Sequence, residues 1–199
     1  MNFADYDGLK SAISDELNRT DLSSAISGFI SLCEAQTERE IRTKEMIASI
    51  PFVIDAAYKN LPDEFLEVRS FWLNTNPKKQ IEYQTIEHLL NENEPLNAYT
   101  IVGGQFMFSP APSEAANATL VYYKQIPKLS NANQTNWLLS KHPDLYFYGS
   151  LVHSAPYLKE DARIQVWAGM YANVIQRIIA SDDRSSTASN NLKSNARVF

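Results

Sequence analysis

With 199 residues, 44% of them apolar and 21% charged, the chain can bury a sizeable core without disulfides or metals to hold it. A formal net charge of −5 argues against a sequence-independent grip on nucleic acid, which needs clustered Lys and Arg. Cys33 is the only cysteine, which excludes an intramolecular disulfide and a cysteine-based zinc site and implies a reducing compartment. The opening MNFADYDGLK lacks the basic, apolar, small-residue succession of a secretory signal. No apolar run approaches the roughly 20 residues that span a bilayer, so no membrane partner is expected.

Tyr6, Leu9, Ile13 and Leu17 recur at spacings of three and four and predict a first helix over 6–18. Arg19-Thr20-Asp21 is a short break with Asp21 as the expected N-cap of a second helix. Leu22, Ala25, Ile26, Phe29, Ile30 and Cys33 give that helix a wide apolar stripe, and it continues in polar form to Arg42. Two helices joined by so few residues should run antiparallel.

The period then changes. From Glu45 to Lys124 the apolar residues fall into short runs separated by Pro, Asn and Gly, which predicts strands over 46–50, 52–58, 66–74, 80–84, 99–102, 105–109 and 119–124. Gly103-Gly104 reads as the tight turn of a hairpin. Leu61-Pro62-Asp63-Glu64-Phe65 reads as one helical turn, and Ile86–Leu90 as a short helix.

Helical spacing returns after the polar stretch Ser130–Gln134. Pro143 suits the first turn of a third helix, with Leu145, Tyr148, Leu151, Val152 and Ala155 as its inner face and Pro156 ending it. Glu160 and Asp161 are expected to open a fourth helix, whose stripe is Ile164, Trp167, Tyr171, Val174 and Ile178, widened by Val166, Met170 and Ile175. The tail from Ser181 holds five serines and three asparagines in nineteen residues and has no period, so it is expected to be a flexible arm. The predicted fold is α+β. Both chain ends form an antiparallel helical bundle (1–44 and 134–180), with an antiparallel β lobe (45–133) inserted and a C-terminal arm (181–199) appended.

No catalytic pattern emerges. There is no Gly-x-Ser-x-Gly elbow, no Ser-x-x-Lys pair and no Gly-rich phosphate loop. His88, His142 and His153 have no partner at metal-ligand spacing, and Cys33 continues an apolar stripe as a buried thiol would. The acidic pairs Asp63-Glu64, Glu160-Asp161 and Asp182-Asp183 sit at helix ends or turns, where dipole complementation accounts for the first two. No catalytic residue, metal or cofactor is assigned. What the chain does hold is a surplus of rings: Trp137, Tyr146, Phe147, Tyr148, Tyr157, Trp167 and Tyr171 fall in one helix pair and its lead-in. One helix face cannot take them all, so the pair is expected to pack on more than one side.

The succession Tyr122-Tyr123, Ile126-Pro127, Leu129-Ser130, Thr135-Asn136-Trp137-Leu138-Leu139 and Pro143-Asp144-Leu145-Tyr146-Phe147-Tyr148-Gly149 resembles the head-to-tail adaptor proteins of tailed bacteriophages. These are also called connector or head-completion proteins, and the likeness is to those of short-tailed phages. It continues through Ala155, Tyr157-Leu158, Asp161, Arg163 and Trp167, with weaker echoes at 61–66, 99–101 and 110–112. The resemblance implies a structural virion protein, made in the host cytoplasm and carrying no catalytic residues. It would form a homo-oligomeric ring, commonly of twelve subunits, docked on the portal protein at the head–tail joint. Such a ring extends the DNA channel and offers a platform to downstream nozzle or fibre proteins of the tail.

On this reading Trp137, Tyr146, Phe147, Trp167 and Tyr171 are the candidate subunit interface. Leu192, Lys193, Arg197, Val198 and Phe199 are the candidate portal-binding arm, and the acidic wall lets DNA pass without specific binding. The alternatives are a tail-tube or tail-completion protein, a carbohydrate-active enzyme built on the β lobe, and a monomeric binding module.

Overall fold

The computed structural model describes residues 3–91, 98–158 and 162–190. Among them are six α-helices and two β-sheets, a mixed α+β fold. The chain divides into two compact units, with boundaries between Glu45 and Met46 and again between Gln125 and Ile126. The first unit is helical and takes both outer parts of the chain; the second is the β unit between them.

In the helical unit, α1 (Tyr6–Leu17) starts at Asp5, whose carboxylate accepts the Gly8 N–H at 2.7 Å, and stops at Asn18, held at φ 49°. A 3-10 turn, Thr20–Leu22, leads into α2 (Ser23–Glu40). Asp21 is not the expected cap: Arg19 takes both its oxygens, at 2.7 and 2.6 Å, and α2 begins two residues later without a side-chain cap. A short α4 (Trp137–Lys141), absent from the predicted elements, is started by Asn136, whose side-chain oxygen accepts the Leu139 N–H at 2.7 Å. Helix α5 (Pro143–His153) has Pro143 in its first turn, and a 3-10 turn at Ala155–Tyr157 follows it.

Helix α6 runs from Arg163 to Asn190, so Glu160 and Asp161 lie outside the described residues. It passes well beyond Ser181, where the apolar period fades. No Gly or Pro interrupts 181–190, and Asp182 is held by the Lys44 N–H at 2.9 Å, so the helix has no cause to stop. Helix α5 is the hub of the unit, packing on α1, α2 and α6. Its buried side chains are Leu145, Tyr146, Phe147, Gly149, Ser150 and Leu151. Tyr148 and Val152, expected on its inner face, are only half-buried because α5 is covered on several sides rather than along one stripe.

The stretch after Gln125 has no helix or strand until α4, yet it belongs to the helical unit, which therefore resumes before the expected residue 134. Side chains of α2 hold it. Glu38 accepts the Ile126 N–H at 2.9 Å and pairs with Lys128 at 2.8 Å, while Glu34 accepts the Leu129 N–H at 2.8 Å. Further along, the Gln134 carbonyl accepts the Tyr6 N–H at 2.8 Å, at the start of α1. Backbone groups that make no ladder bonds thus find side-chain and loop partners instead.

The β unit contains β1 (Ile47–Ile54), β2 (Tyr58–Asn60), β3 (Phe65–Leu73), β4 (Lys79–Gln80), β5 (Glu82–Tyr83), α3 (Ile86–Asn91), β6 (Ala98–Val102), β7 (Gln105–Phe108) and β8 (Ala116–Lys124). The sheet orders are β1-β8-β3-β4 and β2-β7-β6-β5. Phe52, Phe71, Leu120 and Tyr122 from the first sheet share one core with Tyr99 and Phe106 from the second. On β8 the period of two is clean, with Ala118, Leu120 and Tyr122 buried between half-exposed or exposed neighbours. Helix α3 covers the far side of β6 and β7 through Leu89, Ala98 and Met107.

Three predictions for this unit need correction. The lobe is not wholly antiparallel, since β5 pairs with β6 in parallel and α3 lies in the connection between them, the crossover that parallel pairing requires. Pro51 does not divide two strands, because β1 is the outer strand of its sheet, where a ladder tolerates proline. Residues 61–65 form no helical turn. The Phe65 N–H bonds the Pro62 carbonyl at 3.2 Å, and Glu64 takes φ 57°, a tight turn into β3. The expected hairpin at Gly103-Gly104 is present, with φ of 58° and 78° as a primed turn needs.

Candidate functional site

Helices α2, α5 and α6 approach closely around Gly149. Gly149 makes it possible: a Cβ there would lie 2.4 Å from Cys33 Sγ and 3.0 Å from Tyr171 Cδ2 and Cε2. Only a residue without a side chain lets the three helices approach this closely.

Polar groups on the same helices are matched rather than left poised. Tyr146, fully buried, donates its hydroxyl to Glu34 Oε1 at 3.0 Å and accepts from Asn136 Nδ2 at 2.7 Å. Asn136 Nδ2 also reaches the Pro127 carbonyl at 2.8 Å. Burial raises the Glu34 carboxyl above its ordinary value and, with the Glu34 charge beside it, pushes the Tyr146 phenol far up. The Cys33 thiol is pushed up to about 12 by burial. Tyr171 shares its hydroxyl with Thr37 Oγ1 and Glu40 Oε2, both at 3.2 Å, and burial raises it too. Burial lowers the His142 and His153 imidazoles. Each buried group is thus driven toward its uncharged form, the ordinary outcome of desolvation. Among the described residues no cluster of three His, Cys, Asp or Glu could hold a metal.

The predicted interface rings fall as follows. Tyr146, Phe147, Trp167 and Tyr171 are all buried within the subunit. Phe147 packs edge-on against Phe3, with centroids 5.2 Å apart, and the Arg163 guanidinium lies 5.0 Å from the Trp167 ring. Trp137 is half-buried and lines a cleft of about 250 Å³ with Thr43, Lys44, Glu45, Lys141 and Asp182, in which Lys141 pairs with Glu45 at 2.5 Å. Leu192, Lys193, Arg197, Val198 and Phe199 lie outside the described residues.

Part of the apolar surface that remains outward sits beside those rings: Val166 is 57% exposed, Met170 45% and Tyr157 51%. On another side of α6 is a groove of about 470 Å³, mostly apolar, lined by Val152, Ala168, Tyr171, Ala172, Ile175 and Ile179, with Glu40 also at its wall. The Glu34 network escaped the reading of the sequence, although a signal existed. Glu34 continues the row Ile26–Ile30 at a spacing of four, and an acid inside an apolar row marks a buried partner.

The chain belongs to the SU10 adaptor protein family, whose model matches residues 4–194, and it is thereby a structural adaptor component of a phage virion. No curated relative matches it. No helix among the described residues is long and apolar enough to cross a membrane.

Proposed function

We propose that this chain is a head-to-tail adaptor whose copies close into a ring, of the order of twelve subunits, between the portal protein and the tail, extending the channel through which DNA passes. The observation that carries this reading is family membership across nearly the whole chain. Support also comes from the outward aliphatic surface of α6, since a ring needs two different faces repeated head to tail on each subunit. The helices from the two chain ends, as one antiparallel bundle, make the subunit contacts, and the C-terminal segment beyond Asn190, with Leu192, Lys193, Arg197, Val198 and Phe199, engages the portal. The net charge of −5 per copy gives the channel wall a sign that DNA does not adhere to.

Electron microscopy of the protein mixed with purified portal protein tests the reading. The expected image is an added ring on one end of the portal. Binding to tail proteins with no affinity for portal would instead make the chain a tail-completion protein. Tight, salt-dependent DNA binding by the ring would contradict the passive channel.

A further inference from the structure

We propose that helix α6 carries both halves of the subunit contact: the ridge Val166–Met170 of one copy seats in the groove Ala168–Ala172–Ile175–Ile179 of the next. The proposal rests on the reading that copies associate in a ring, and it names the surface by which they would do so.

Helical geometry makes the case. The buried stripe of α6 is Trp167, Tyr171, Val174, Ile175 and Ile178. At 3.6 residues per turn, Ala168, Ala172 and Ile179 lie along one flank of that stripe, with Ile175 at its border, and Val166, Met170 and Arg177 lie along the other. The flanks point in opposite directions, each about a quarter turn from the core. One is hollow, because Ala168 and Ala172 are small and Val152 of α5 forms the far wall. The other bears the branched and long side chains of Val166, 57% exposed, and Met170, 45% exposed.

The two surfaces also match in length and charge. Val166 to Arg177 and Ala168 to Ile179 each cover about 17 Å of helix. The ridge ends on the exposed Arg177, while the groove carries the exposed Glu40 carboxylate, already oriented by Gln36 Nε2 at 2.7 Å and by the Tyr171 hydroxyl. Trp167 faces the core and does not make this contact, while the Tyr171 ring forms part of the groove wall. A ridge and a groove on opposite flanks pair head to tail, the heterologous arrangement that closes into rings, and cannot pair by a two-fold axis.

Met170→Cys and Ala172→Cys are made separately in the full-length protein and oxidised alone and as a mixture, with and without purified portal protein. Cys33, the native thiol, is buried and stays out of the reaction. The expected result is a disulfide-linked dimer in the mixture and in neither variant alone, with thermal midpoints unchanged from the wild type. Arg177→Glu should abolish the cross-link, and adding Glu40→Lys to the Ala172→Cys partner should restore it. A dimer from Met170→Cys alone would mean ridge-to-ridge pairing and would overturn the proposal. So would a mixture that fails to cross-link under both conditions. In that case sedimentation and portal binding of the same samples separate the causes: association or portal binding without the cross-link leaves the adaptor reading standing, and loss of all three removes both.

Discussion

Gly149→Ala is the most direct test of how the helical unit is built. The new methyl would sit 2.4 Å from Cys33 Sγ and 3.0 Å from two Tyr171 ring carbons, where ordinary contact is about 3.5–4.0 Å. Cys33 has little room to yield, since it is fully buried and its Sγ lies 3.7 Å from the Leu145 carbonyl. Overpacking a filled site costs roughly 1–3 kcal/mol, and a clash with two helices at once belongs at the upper end. Against this, alanine is favoured over glycine inside a helix by about 1 kcal/mol. The net loss is about 2 kcal/mol, a fall in Tm of about 4–8 °C for a chain of this size.

Urea unfolding of the wild type, Gly149→Ala, Cys33→Ala and the double variant measures it. Removing the sulfur makes room for the methyl, so the double variant should be more stable than the sum of the single changes by about 1 kcal/mol or more. If Gly149→Ala stays within about 0.5 kcal/mol of the wild type, or the two changes are additive, the close approach of α2, α5 and α6 is wrong.

Four further outcomes are expected. Tyr146→Phe removes the hydroxyl that Glu34 Oε1 accepts at 3.0 Å and should cost about 1 kcal/mol in urea unfolding, the range for a buried hydrogen bond between groups driven toward their uncharged forms. Because burial raises the Glu34 carboxyl, the folded state holds its proton to higher pH than the unfolded one. Wild-type stability should therefore fall as pH rises from the ordinary glutamate range through the raised value, and Tm measured against pH should lose that slope in Glu34→Gln. Ser150 is buried in α5 with its Oγ unpartnered, so Ser150→Ala should raise stability by about 1 kcal/mol, read by calorimetry. With its thiol at about 12, Cys33 should not react with a chromogenic disulfide reagent at pH 8 until the protein is unfolded in denaturant.

Where a single physical preference decided an element, the sequence revealed it. The three-and-four spacing of Tyr6, Leu9, Ile13 and Leu17 located α1, and paired positive φ at Gly103-Gly104 located the β6–β7 hairpin. Pro143 marked the start of α5. Elements that depend on a distant partner were hidden. Pro51 reads as a strand break unless β1 is known to lie at a sheet edge, and edge position is a property of the fold. Arg19 takes Asp21 away from the cap position, a competition that capping rules applied one residue at a time do not see. The stretch 126–136 has no period because Glu34 and Glu38 of α2 and its own Asn136 side chain supply hydrogen bonds that a ladder would otherwise make.

The aromatic block carries a more general point about adhesive surfaces. Counting rings correctly signalled that α5 is covered on more than one side, but it could not say by what. Large rings are efficient wherever area must be buried, and here α1, α2 and the tail of the 126–136 stretch are near enough to take Tyr146, Phe147, Trp167 and Tyr171 inside the subunit. A surface that must stay soluble before a partner arrives is better made of scattered aliphatic groups and shallow hollows than of tryptophans. On α6 that division runs residue by residue. Trp167 and Tyr171 face in, while Val166 and Met170 next to them face out. The residues adjacent to the conspicuous ones are thus the ones left open to solvent, and different sides of one helix serve the subunit's core and its surface.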